Sequence, residues 1–202
     1  MRNKIFSAKA LCRSGVIAAL YVALTVPFGS LSFFGGLQVR PSEGLCLLPL
    51  FYPEAVFALA AGCFITNLFS PFAVFDITMG VAATLLAAIC TRLAGKAFRG
   101  GKKALPLKIA LGGLFPVLFN AAFVPIIVFL GDPNGAAITF AAYFAMAGSV
   151  ALGEAIWVYA VGTPLILFCD RRQAKNDPLF APSDKKPIKN TENTVETDKI
   201  VG

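Results

Sequence analysis

The sequence contains no histidine, and only 14% of its 202 residues are charged, against roughly 25% in an ordinary soluble domain. The missing imidazole removes every mechanism that uses histidine as base, nucleophile or metal ligand. The five cysteines (Cys12, Cys46, Cys63, Cys90 and Cys169) form no Cys-x-x-Cys pair. They therefore suggest no metal site, and no cofactor is expected. Each lies in or beside an apolar run and reads as a small buried hydrophobe. Neither Gly-x-x-x-x-Gly-Lys-Ser/Thr nor Gly-x-Gly-x-x-Gly occurs, so the chain has no phosphate-cradling loop. If it moves a solute uphill, a partner must hydrolyse the ATP.

What is present is apolar. Hydrophobic residues make up 57% of the sequence, including 19 Phe, and the mean hydropathy is +0.73. That composition excludes a soluble globule, a disordered chain and a disulfide-stapled secreted domain. The charges are spaced by long neutral runs: 26 residues between Arg13 and Arg40, 21 between Glu54 and Asp76, 23 between Lys108 and Asp132, and 21 between Asp132 and Glu154. About 20 apolar residues cross the hydrocarbon core of a bilayer as a helix. The chain therefore reads as an all-α membrane protein in the cell membrane with six transmembrane helices, at about 11–28, 42–51, 53–69, 75–98, 106–130 and 136–171. The second is too short to cross alone unless it begins in the preceding loop. The basic N-terminus followed by an apolar run resembles a signal peptide, but the run is too long and lacks a small-x-small cleavage site, so it is expected to stay as the first helix.

Basic residues set the orientation. They cluster before the first span, between Arg92 and Lys108, and after the sixth span, whereas the loops of the other face carry only Arg40. The positive-inside rule places both termini in the cytoplasm, which requires an even number of spans. The same rule, with the tail, accounts for the net charge of +7 without nucleic-acid binding. Residues 1–172 are expected to form the membrane domain. Residues 173–202, rich in Pro and mixed charge, are expected to be a flexible cytoplasmic tail.

Ionisable groups at membrane depth are costly and point to function. On this topology Gln38, Arg40, Glu43, Asn67, Asp76 and Asn120 gather toward the outer face. Glu154 and Trp157 share one face of the sixth helix near mid-membrane. Together they suggest an outward-opening pocket with Glu154 as its floor. Plainer readings stay open: an interfacial ion pair for Arg40 with Glu43, helix capping for Asp76 and Asn67, interior packing for Trp157. Glu54, on the cytoplasmic side, reads as stabilising a helix N-terminus. Along the first helix Gly15, Ala19 and Ala23 repeat every four residues, a small-residue face that lets helices approach closely.

The segments Gln38-Val-Arg-Pro-Ser-Glu43, Leu48-Pro-Leu-Phe-Tyr-Pro-Glu54, Gly62 to Pro71 with Asn67-Leu-Phe-Ser-Pro71, and Asp76-Ile-Thr-Met-Gly80 resemble the queuosine-precursor transporter (QueT) family. Its members are substrate-binding S components of energy-coupling-factor (ECF) importers. The resemblance covers about residues 10–170. It implies a six-helix S component that binds its solute from outside and docks on a membrane T component carrying two cytoplasmic ATPases, with Gly15, Ala19 and Ala23 as the contact. The solute would be a 7-deazaguanine (preQ0, preQ1 or queuine). Glu154, Asp76 and Glu43 are candidates to accept its paired N–H donors. Asn67, Asn120, Gln38 and Arg40 are candidates to donate to its carbonyl, and Trp157 to stack on the ring. The alternatives are an S component for another vitamin, an intramembrane enzyme using Glu154 and Asp76 as an acid–base pair, and a scaffold subunit without ligand.

Overall fold

Ser7 opens the first helix: its hydroxyl accepts from the amide of Ala10 at 3.2 Å, satisfying one of the donors a helix start leaves free. The helix, α1 (Ala8–Thr25), tightens into a 3₁₀ turn at Val26–Phe28. It ends on Gly29 at φ 46°, a left-handed conformation open to glycine. The structure, a computed structural model, describes residues 7–29, 31, 39–98, 104–131 and 139–181. After α1 come a 3₁₀ helix (Pro41–Leu50), α2 (Ala55–Asn67), α3 (Ala73–Ala97), α4 (Leu105–Gly131) and α5 (Phe140–Ala174). Every element among the described residues is helical.

Four helices, Ala8–Phe28, Ala73–Ala97, Leu105–Gly131 and Phe140–Ala174, are long and apolar enough to cross a membrane. Large apolar side chains such as Leu11, Val74, Leu118 and Phe140 stand exposed along them, a surface that suits lipid. The two shorter helices lie where the second and third spans are expected, with bounds shifted by a residue or two.

The short second element is the centre of the bundle. It packs against all five α-helices, and all ten of its residues are buried. It is a 3₁₀ helix, which rises about 2.0 Å per residue rather than 1.5, so ten residues reach roughly 20 Å instead of 15. Pro41 starts it and Pro49 lies within it. Proline lacks the N–H that an α-helix interior requires. Arg92 from α3 donates to the carbonyls of Pro49 (3.3 Å) and Leu50 (3.2 Å), placing a cation on the negative end of the helix dipole.

Glycines permit the close crossings. A Cβ on Gly162 of α5 would lie 2.7 Å from the carbonyl oxygen of Gly44, and one on Gly95 of α3 would lie 2.7 Å from that of Leu50. In α4, Pro116 cannot bond the carbonyl four residues back, at Gly112. The Thr91 hydroxyl of α3 donates to that carbonyl at 2.8 Å instead.

Arginine-bearing segments meet at one end of the bundle. Arg13 of α1 pairs with the buried Glu54 at 2.5 Å and lies over the Tyr52 ring at 4.3 Å. Glu54 thus stands at the start of α2, as its N-terminal reading implies, with its carboxylate engaged by Arg13 rather than by a helix cap. Of the segment expected as a tail, residues 173–181 are described. Helix α5 runs on to Ala174, and the chain then folds back over this end. Arg13 donates to the carbonyls of Leu179 and Ala181, the Tyr52 hydroxyl donates to the carbonyl of Phe180, and Phe180 packs edge-on against Phe168. The rest of the expected tail, 182–202, lies outside the described residues.

Candidate functional site

At the other end of the bundle the polar residues converge. The start of the 3₁₀ helix supplies Arg40 and Glu43, α2 supplies Asn67 from its last turn, and α3 supplies Asp76 from its first. Asn120 comes from the middle of α4 and Glu154 from the middle of α5. Arg40, Glu43, Asn67, Asn120 and Glu154 are all buried, and Asp76 is half-buried.

Glu154 is at the heart of the set. Its side chain is 4% exposed. Asn120 donates to Oε1 at 2.8 Å, while the buried Oε2 has no hydrogen-bond partner among the described residues. Glu43 and Arg40 are the charged groups acting on it. Glu43 accepts the Tyr21 hydroxyl at 2.9 Å and the Cys46 thiol at 3.1 Å. Arg40 donates to the Asn67 side-chain oxygen at 3.5 Å. The Asn67 amide nitrogen in turn donates to the backbone carbonyl of Asp76 at 2.7 Å. The Ser70 hydroxyl donates to the Asp76 carboxylate, which also lies in the field of Arg40. Hydrogen bonds or charge interactions thus link all six residues.

The backbone is irregular where Asp76 enters. Residues Asp76–Gly80 form a π-helical turn inside α3, a wider winding that recurs at functional sites. A Cβ on Gly80 would lie 3.1 Å from the Asn67 amide nitrogen and 3.5 Å from the Asp76 carboxylate, so a side chain there would crowd that contact. Asp76 does not cap the helix, since its carboxylate is taken by Ser70. Asn67 likewise directs its side chain to Asp76, and Leu68 is the C-cap of α2.

Not every expected residue joins this set. Gln38 lies outside the described residues. Trp157 is half-buried on α5, and no hydrogen bond or ring contact ties it to the polar set among the described residues. Gly15, Ala19 and Ala23 are exposed on α1, with open space beside Gly15. They face away from the buried stripe Ile17, Tyr21, Thr25. Two surface grooves of about 470 Å³ occur elsewhere, one between α4 and α5 beside Tyr159, the other at the end of α5 around Arg171. Neither includes a member of the polar set.

Sequence reasoning missed Tyr21, Cys46 and Cys63. Cys63 receives hydrogen bonds from the Thr84 hydroxyl at 3.3 Å and the Asn67 amide at 3.4 Å. The signal for Tyr21 was available: it lies on the face of the first helix opposite the small residues, in register with Thr25. Among the described residues no group of His, Cys, Asp and Glu could hold a metal ion.

Long apolar helices enclosing a buried set of acids, amides and one guanidinium define a helical membrane protein with a polar interior. The chain belongs to the QueT transporter family, whose profile matches residues 11–171. It is a multi-pass membrane transporter protein. Neither the curated proteins nor the solved structures searched contain a match.

Proposed function

We propose that the chain is the substrate-binding S component of an ECF importer and that it takes a queuosine precursor, a 7-deazaguanine, from outside the cell. In this reading six helical segments span the membrane, both termini are cytoplasmic, and the Arg40–Glu43–Glu154 end faces outward. Arg13, Arg92, Arg171 and Arg172 then lie on the cytoplasmic side, as the distribution of basic residues favours. The family membership supports transport. The observation that carries the ligand assignment is Glu154, buried, oriented by Asn120 through one oxygen, and with the other oxygen free to accept.

A 7-deazaguanine presents two adjacent N–H donors and a carbonyl on a flat ring. The Glu154 carboxylate accepts that pair as a fork, and such charge-assisted bonds contribute roughly 1.5–3 kcal/mol each. Asn120 and Arg40 supply donors for the carbonyl, while Asn67, whose two N–H groups are engaged by Asp76 and Cys63, holds the rim in place. A ligand lacking the donor pair would leave a buried carboxylate unsatisfied, which discriminates strongly. The exposed Gly15, Ala19 and Ala23 are the docking face for a T component, which with two ATPases would supply the energy.

Calorimetry on the purified chain in detergent tests this reading. The expected result is one-to-one binding of a 7-deazaguanine without ATP. Well-folded protein that binds none of the parent, nitrile-bearing or aminomethyl-bearing bases would overturn it.

A further inference from the structure

The five α-helices surround the 3₁₀ helix as an open ring. Helix α1 packs on α2, α2 on α3, α3 on α4 and α4 on α5, and no comparable packing joins α5 back to α1 among the described residues. A seam is left between α1 and α5, and the strap 175–181 crosses it at the Arg-bearing end. Beyond α5, Asn176 takes φ 55°, the left-handed conformation that asparagine tolerates, and the chain turns back. Every carbonyl from Pro178 to Ala181 then accepts a hydrogen bond from the far side of the seam. Lys9 donates to Pro178, Arg13 to Leu179 (2.6 Å) and Ala181 (3.2 Å), and the Tyr52 hydroxyl to Phe180 (3.1 Å). On the α5 side, Phe180 packs on Phe168 with ring centroids 5.5 Å apart, and Asp177 faces Arg172 at 3.8 Å. The Arg13–Glu54 pair keeps α1 with the start of α2.

We propose that this strap is a reversible clasp on the seam. Closed, it holds α1 to α5 at the Arg-bearing end; open, it lets that end of α1 swing away while the other end stays fixed. The two ends of α1 differ in what opening costs. At the polar end the Tyr21 hydroxyl bonds Glu43 at 2.9 Å and the Thr25 hydroxyl lies 2.6 Å from that of Ser42, with all four residues buried. Breaking those bonds strands polar groups away from water. The strap's bonds are exposed or part-buried, so water takes over each donor and carbonyl when the strap lifts, and the opening stays local. Backbone carbonyls make most of the contact, and Leu179 is exposed. The anchoring side chain is Phe180, which packs against the buried core. Helix α1 also carries the exposed Gly15, Ala19 and Ala23, so the clasp governs a helix that joins the polar set to an open face of the bundle. Neither the seam nor the clasp depends on the ligand assigned under Proposed function.

Hydrogen exchange on the full chain in detergent, read by mass spectrometry, tests this with Phe180→Ala, which removes the anchor on the α5 side. Exchange is expected to quicken at least about tenfold in the strap and in residues 12–17 of α1, with α3 and α4 unchanged. Faster exchange in the strap alone, with α1 as in the parent chain, overturns the proposal, because the strap then lies on the bundle without holding it. Equal acceleration in α3 and α4 overturns it too, since the whole bundle has then loosened. Tyr52→Phe is measured alongside; it removes one donor to the strap and keeps the ring that Arg13 covers. It is expected to speed the same two segments, and it decides the matter should Phe180→Ala fail to fold. Unchanged exchange of α1 in a folded Tyr52→Phe chain, with Phe180→Ala unfolded, likewise overturns the clasp.

Discussion

Replacing Glu154 by Gln is the sharpest perturbation available, because the surroundings dictate how the new amide must sit. Asn120 donates to Oε1 at 2.8 Å, so the Gln oxygen takes that position to keep the bond. The NH₂ group is then forced to where Oε2 stood, the atom without a partner among the described residues. In the bound state it would present a donor to a ligand N–H. The loss of one charge-assisted bond is about 1.5–3 kcal/mol, which corresponds to roughly ten- to hundredfold in Kd. The facing donors add to this. Stability should not suffer, since the change removes a buried carboxylate and retains the shape. The assay is titration calorimetry against a 7-deazaguanine, paired with a thermal melt of the empty protein. An affinity within twofold of the parent chain, in a protein that melts normally, would refute the assignment of Glu154 as the ligand's acceptor.

Three further predictions follow from the packing. Ala19→Trp should leave solute binding intact, because Ala19 is exposed, yet abolish co-purification with a T component; a stable complex carrying the Trp would exclude that face as the contact. Gly162→Ala should lower the thermal midpoint, since its Cβ would lie 2.7 Å from the Gly44 carbonyl oxygen, at a cost of about 1–3 kcal/mol. Gly148→Ala, with nothing within 4 Å, should be neutral or slightly stabilising, so equal effects at both sites would contradict the close crossing. Thr91→Val keeps the side-chain shape but strands the Gly112 carbonyl that Pro116 leaves free. It should destabilise by about 1–3 kcal/mol, and an unchanged melt would show that another group satisfies this carbonyl.

Much of the site was legible in residue type alone. Arg40, Glu43, Asn120 and Glu154 interrupt runs that lipid would otherwise favour as wholly apolar, and the cost of placing such groups there implies partners. The pairings were not legible. Nothing in the spacing of Asn120 and Glu154, 34 positions apart, says that one orients the other. Asn67 and Asp76 read as members of the polar set, with helix capping open as the plainer alternative because both lie near expected helix ends. Their actual partners, the Asp76 carbonyl and the Ser70 hydroxyl, depend on a chain reversal and a π turn that local propensity does not encode. Tyr21 escaped notice because an aromatic residue in an apolar helix satisfies the hydropathy pattern whether or not its hydroxyl has work to do.

The sequence by itself determined that this is a helical membrane protein with a polar interior, because hydropathy and charge spacing are properties of single segments and the bilayer acts on each segment directly. It also placed the short second element, expected at about 42–51, to within a residue of its observed bounds Pro41–Leu50. Only the tertiary structure decided that this element is a 3₁₀ helix enclosed by the five others, and that Arg40 and Glu43 at its head are buried together with Asn67, Asn120 and Glu154. Those facts depend on which helices lie side by side. That in turn depends on close contacts, such as Gly44 against Gly162, between residues far apart in the chain.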